Sequence, residues 1–178
     1  MAEKLTPQET AVIEAALEAF STVDTLMTEA DGALRKVSPA ELYAYANDPG
    51  FQPQEDFRRR LEASDGANVD LQRMIENTSR FHMPQMAAAS SGDIDSREVA
   101  GCKIVFRPSR ADPEQLYAII EITDPEISPR MLFVRQADGQ MDRIELPEFQ
   151  AGRAQLLLER HSAEARGLMD INTEVFVK

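Results

Sequence analysis

The sequence predicts an α+β fold, in which an N-terminal four-helix unit is followed by a small, mostly antiparallel β-sandwich. Three observations predict it. Up to about Phe81 the apolar residues recur at three- and four-residue spacing, and two capping boxes, at Thr6–Glu9 and Ser38–Glu41, mark helix starts. Beyond Met83, β-branched residues and period-two alternation take over. Turn signals rich in Pro, Asp and Gly separate the alternating runs. Hydrophobic residues make up 43% of the chain, enough for a packed core, but aromatics only 6% and there is no Trp. Leu, Ile, Val, Ala and Met therefore carry most of the expected core.

Thr6, Pro7 and Glu9 open the first helix, with Ile13, Ala16, Leu17, Phe20, Val23, Met27 and Ala30 along it and Asp31-Gly32 as its stop. Ser38–Glu41 opens a short second helix through Tyr43 and Tyr45, broken by Asn47-Asp48-Pro49-Gly50. Pro53 starts the third, PQEDFRRRLEA. Phe57 and Leu61 lie four apart on one face, and Arg58, Arg59 and Arg60 fall mostly off it, read as a solvated face beside Glu55, Asp56 and Glu62. The fourth helix covers Ala67 to Phe81, with Val69, Leu71, Met74, Ile75 and Phe81 apolar. Residues 1–82 thus read as a helical domain, 83–95 as a linker with AAASSG its flexible part, and 96–178 as the sandwich. Its expected strands are Glu98–Phe106, Leu116–Thr123, Met131–Arg135, Met141–Leu146, Arg153–Glu159 and Thr173–Val177. Met131–Leu146 reads as a hairpin around Ala137-Asp138-Gly139, and Ser162–Asp170 as a single helical turn.

Charge and composition exclude several function classes. A net charge of −12 opposes nucleic acid, whose binding draws on Lys and Arg against phosphates, and opposes anionic membrane surfaces equally. Nowhere are there 18 consecutive apolar residues, so no membrane-spanning helix is expected. Cys102 is the single cysteine, which rules out an intrachain disulfide and a Cys-rich zinc site. The polar start MAEKLTPQET has no signal-peptide core. The expectation is a soluble, cytoplasmic protein.

One stretch resembles a known family. LYAYANDPGFQPQEDFRRRLEASDGANVDLQRMIEN, read on to Phe81, is similar to the N-terminal helical domain of bacterial anti-sigma factors of the zinc-containing type. The shared pattern is a short helix with an aromatic-rich Leu-x-x-Tyr start, a Gly/Pro break, an amphipathic charged helix and a following helix. In that family a His-x3-Cys-x2-Cys motif supplies the zinc ligands. Here Arg60, Ser64 and Ala67 stand at those positions, and none binds zinc in the usual way. The resemblance implies a zinc-free variant whose partner is a sigma factor held by helix-in-groove packing. Tyr43, Phe57, Arg58, Arg59 and Leu61 are the candidate partner-binding residues.

Other constellations are thin. His82, Met83 and Met86 suit Cu(I) by donor type, but methionines also fill packing gaps, and a domain junction is the plainer reading. Cys102 and His161 are the available nucleophile and base, yet Cys102 sits in an apolar strand. The two DPE segments, Asp112–Glu114 and Asp124–Glu126, have a local role as turn formers and, if brought together, a second as Ca²⁺ ligands. The sequence therefore reads as a non-enzymatic interaction or regulatory protein, anti-sigma-like, without a cofactor. The alternative is a small-ligand binder or an enzyme with a carboxylate-based site at the sandwich edge or domain cleft. Homodimerisation through the first helix or the terminal strand TEVFVK is the third expectation.

Overall fold

The computed structural model describes residues 36–54, 56–86 and 94–178. The expected first helix and the AAASSG stretch lie outside the described residues. Helix α1 (Pro39–Asn47) starts as its capping box dictates: the Ser38 hydroxyl accepts from the Glu41 amide at 3.2 Å, and the Glu41 carboxylate accepts from the Ser38 amide at 2.9 Å. Helix α2 (Phe57–Glu62) follows the Pro49–Pro53 break. Helix α3 (Asp65–Thr78) is capped by Ser64, whose hydroxyl accepts from the Ala67 amide. It stops short of the expected end. Phe81–Met83 is a strand, β1, and not the last turn of a helix.

Seven further strands follow: β2 (Ser96–Val99), β3 (Cys102–Pro108), β4 (Gln115–Ile122), β5 (Met131–Arg135), β6 (Met141–Glu145), β7 (Arg153–Glu159) and β8 (Glu174–Val177). Helix α4 (Ala163–Met169) lies between β7 and β8. The strands form two antiparallel sheets, ordered β1-β8-β5-β6 and β2-β3-β4-β7. The expected strand Glu98–Phe106 is in fact the β2–β3 hairpin. It turns at Ala100-Gly101, where Gly101 takes φ 86°, a conformation that glycine adopts without steric cost.

The expected four-helix unit does not form among the described residues. Three short helices precede the strands, and they do not close a core of their own. Leu42, Tyr45, Phe57, Leu61, Leu71 and Ile75 pack against Met131, Phe133, Met141 and Phe176 of the first sheet. The physical reason lies in β5. MLFVR is buried at four consecutive positions, so both faces of this sheet need covering, and a short amphipathic helix has one apolar face to give. Tyr45 joins the layers, its ring 5.0 Å from Phe57 and 6.1 Å from Phe133. The other face of the sheet, with Leu132, Val134, Ile144, Val175 and Val177, shares one core with Ile104, Phe106, Leu116, Ala118 and Ile120 of the second sheet. The order of layers is helices, first sheet, second sheet, and Val37–Lys178 is one compact unit.

Arginines fix the layers. The Arg143 guanidinium donates to the carbonyls of Asp48, Pro49 and Phe51 at 2.9–3.0 Å and lies over the Tyr45 ring, tying the Pro49 break to β6. Arg135 on β5 bridges Glu76 of α3 and Glu174 of β8. Arg97 of β2 points inward, 2% exposed, and donates to the carbonyls of Leu168 and Thr173, to the Thr173 hydroxyl and to the Asp170 carbonyl. β8 lies between β1 and β5 with both sides paired, so the terminal strand cannot join a second copy. No described helix is long and apolar enough to cross a membrane.

Candidate interaction surface

The residues singled out from the sequence fall in different environments. Tyr43 is 64% exposed, and Arg58 and Arg59 are exposed. Phe57 and Leu61 are buried beneath them in the helix–sheet core. Arg60 departs from the solvated-face reading. It is buried, with Nη2 2.8 Å from Glu41 Oε1 and Nε 3.0 Å from Asp56 Oδ2. The position that matches the zinc-binding histidine of the anti-sigma pattern thus carries an ion pair joining α2 to α1. The hydrogen bond from Arg60 outweighs the opposing effect of burial and holds the Glu41 carboxyl down at about 2.

The groups considered for chemistry are each engaged in structure. His82 and Met83 point to opposite faces of β1. Met83 is buried in the sandwich core, while His82 stacks on Phe176 at 4.5 Å and meets Glu174 at 2.8 Å. Alternation therefore separates the two donors of the copper reading. Burial pushes the Cys102 thiol up to about 11, so it is protonated at neutral pH. His161 lies near Glu114 at the surface. In the two DPE turns, Asp112 accepts from the Glu114 amide at 2.9 Å and Asp124 from the Glu126 amide at 3.0 Å, the local role expected of such turns. Burial raises the Glu174 carboxyl, but hydrogen bonds from Arg135 and His82 prevail and leave it below the usual range. Among the described residues no group of three or more His, Cys, Asp or Glu is placed to hold a metal ion.

The second sheet has one face in the core and one turned outward. On β4, Leu116, Ala118, Ile120 and Ile122 are buried, which sends Tyr117, Ile119 and Glu121 to the outer face. Register then assembles a patch. Val105 of β3 is paired with Ile119, and Leu157 of β7 with Tyr117. Side chains directly opposite in adjacent strands are in contact range, and Tyr117 and Ile119 are neighbours on one face of β4, so the two pairs make one apolar centre, with Arg107 opposite Tyr117 and Gln155 opposite Ile119 at its flanks. They belong to neither core cluster, and Leu157 is 48% exposed. Charged pairs border the patch at one end: Lys103 with Glu98 at 2.8 Å and Arg153 with Glu121 at 3.2 Å. Arg107 and Glu159 border the other. An apolar centre with a charged rim is the usual anatomy of a protein-binding surface.

Sequence reasoning passed over this surface, although a signal was present. QLYAIIEI and AQLLLE carry apolar residues at consecutive positions, where a half-exposed strand has polar ones at every second position. No family model, curated protein or solved structure matches the chain.

Proposed function

We propose that the chain is a non-enzymatic protein-interaction module that engages its partner through the outer face of the second sheet. One observation carries this reading: Val105, Tyr117, Ile119 and Leu157 form an apolar centre with a charged rim, outside both cores. A residue of this kind at the centre of an interface is where binding energy concentrates, and Tyr117 is the aromatic among the four. The resemblance over Leu42–Phe81 makes a bacterial sigma factor the first partner to test. It supports a regulatory role through exposed Tyr43, Arg58 and Arg59, because Phe57 and Leu61 already pack inside this chain.

The test is affinity capture from a lysate of the native host, with the wild-type chain and Tyr117→Glu compared in parallel and purified sigma factors titrated separately. A protein partner retained by the wild type and weakened at least about tenfold by Tyr117→Glu supports the reading. A partner held equally by both, or recovery of a small molecule in place of a protein, overturns it. Binding to a sigma factor unaffected by Tyr117→Glu but lost on Tyr43→Ala would move the contact surface to the helices.

A further inference from the structure

Among the described residues the two sheets have four edges, β1, β6, β2 and β7, and three of them carry devices that prevent strand pairing. β1 has three residues. β2 has four, and its Arg97 points inward. β6 has five, with Asp142 on the core side of the sheet. Short strands and inward charges are the usual protections of an edge. β7 has seven residues in unbroken register with β4, no proline, no bulge, and only Ala154, Leu156 and Leu158 facing inward.

Register shows which backbone groups of β7 are open. Ile122 donates to the Gly152 carbonyl and Arg160 to the Glu114 carbonyl, so the pairs bonded to β4 fall at even-numbered residues of β7. The amides and carbonyls of Arg153, Gln155, Leu157 and Glu159 point away from the sheet. Gln150 folds back on Arg153, bonding it in both directions at 2.8 and 3.1 Å, and closes that end. The Ser162 amide donates to the Glu159 carbonyl and turns the chain off at the other. Among the described residues the open window runs from Gln155 to Glu159, and Leu157 is its midpoint.

We infer that β7 pairs with β7 of a second copy, antiparallel about a two-fold axis at Leu157, joining two four-stranded sheets into one of eight. Only this register fills the window without colliding with Gln150. It places Leu157 against Leu157 of the other copy, and Gln155 against Glu159. Arg153 then lies diagonally from Glu159 of the other copy, within reach of long side chains of opposite charge. The pairing joins two charge-complementary ends and covers the one large apolar side chain that β7 leaves exposed. Such an edge contact is small, so the dimer dissociates in the micromolar range, roughly 1–100 µM. It takes up Leu157, one of the four residues of the proposed partner surface, and leaves Val105, Tyr117 and Ile119 open; sedimentation reads self-association alone, so its outcome is distinguishable from that of the partner test.

Sedimentation velocity of the full chain across that concentration range tests it, alongside Leu157→Pro and Gln155→Pro. Each proline removes an outward amide and leaves the β4 ladder intact, as edge prolines do. The expected result is a concentration-dependent dimer in the wild type, and at least about tenfold weaker association in both variants with unchanged far-ultraviolet circular dichroism. Glu159→Arg should weaken the dimer, and adding Arg153→Glu should restore it. Hydrogen exchange gives a second readout that does not depend on variants folding. The amides of Gln155 and Leu157 should slow as concentration rises, while those of Ala154, Leu156 and Leu158 stay protected throughout. A chain that is monomeric over the whole range, or a dimer whose Gln155 and Leu157 amides exchange equally at every concentration, overturns the inference.

Discussion

Two buried arginines show how single residues hold this fold and how differently they do it. Among the described residues Arg97 makes no direct ion pair, and the Asp170 carboxylate acts on it only through its field. Its charge is met by the carbonyls of Leu168, Asp170 and Thr173, which gather where α4 ends and the partial negative charge of its C-terminus concentrates. Burial lowers its pKa, but a guanidinium stays charged in practice. Arg97→Met would take the donor from the carbonyls of Leu168 and Thr173, while the Asp170 carbonyl would keep the Thr173 amide and hydroxyl. The expected loss of stability is about 3 kcal/mol, with Arg97→Lys losing less, as urea unfolding would measure. Arg60 instead has Glu41 and Asp56. The Glu41 carboxyl titrates at about 2 in the folded chain against an ordinary 4.5, so the unfolded state binds its proton first as pH falls. The ion pair thus stabilises the fold fully above pH 4.5, and that contribution fades as pH falls toward 2. Glu41 is partly solvated, so about 1–2 kcal/mol is at stake. The stability difference between wild type and Glu41→Gln should shrink over that interval, and a constant difference would show that the pair does not act through charge. Neither arginine was legible as buried. RRR at Arg58–Arg60 and SREV at Ser96–Val99 look like solvated segments because Glu41, which draws Arg60 inward, and the carbonyls that receive Arg97 lie far along the chain.

At the scale of elements, what the sequence shows is local and what it hides is distant. The start of α1 was legible because Ser38 and Glu41 satisfy each other's backbone within one turn. The β5–β6 hairpin was legible because Asp138-Gly139 sits between two short strand-length runs, and Gly139 takes φ 88° in its turn. β4 and β7 were placed within a residue because each is a short apolar run bounded by turn signals. β1 was not. Phe81 falls where a fourth helix would put its last apolar residue, and a three-residue strand has no pattern of its own. It is specified by Val175–Val177, its partners across the sheet, which lie far along the chain. The interaction face was half legible: each strand revealed apolar residues on both sides, but register, which joins Val105 to Ile119 and Tyr117 to Leu157, does not follow from any one strand.

For the molecule as a whole, the deciding fact is that the first sheet is apolar on both faces. A sheet in a two-layer sandwich offers one face to the core and one to water. Here Met131, Phe133, Met141 and Phe176 lie on the face away from the sandwich core, and the helices before β1 cover them. Helices and sandwich are therefore mutually dependent, with Arg143 and Arg135 pinning the rims of the contact and Lys178 reaching Asn47 and Thr78 from the end of β8. A chain beginning at Ser96 would lose β1 as well as the helices, and it would expose these four large side chains as one patch of the kind that drives association. Such a chain should aggregate or bind hydrophobic dyes, whereas a chain beginning at Val37 should unfold in one cooperative transition seen alike by circular dichroism and by tyrosine fluorescence. A monomeric, cooperatively folded Ser96–Lys178 fragment would show that the helices decorate the sandwich and do not complete it. It would also return the helical apolar faces, Phe57 and Leu61 included, to the surfaces on which a partner could dock.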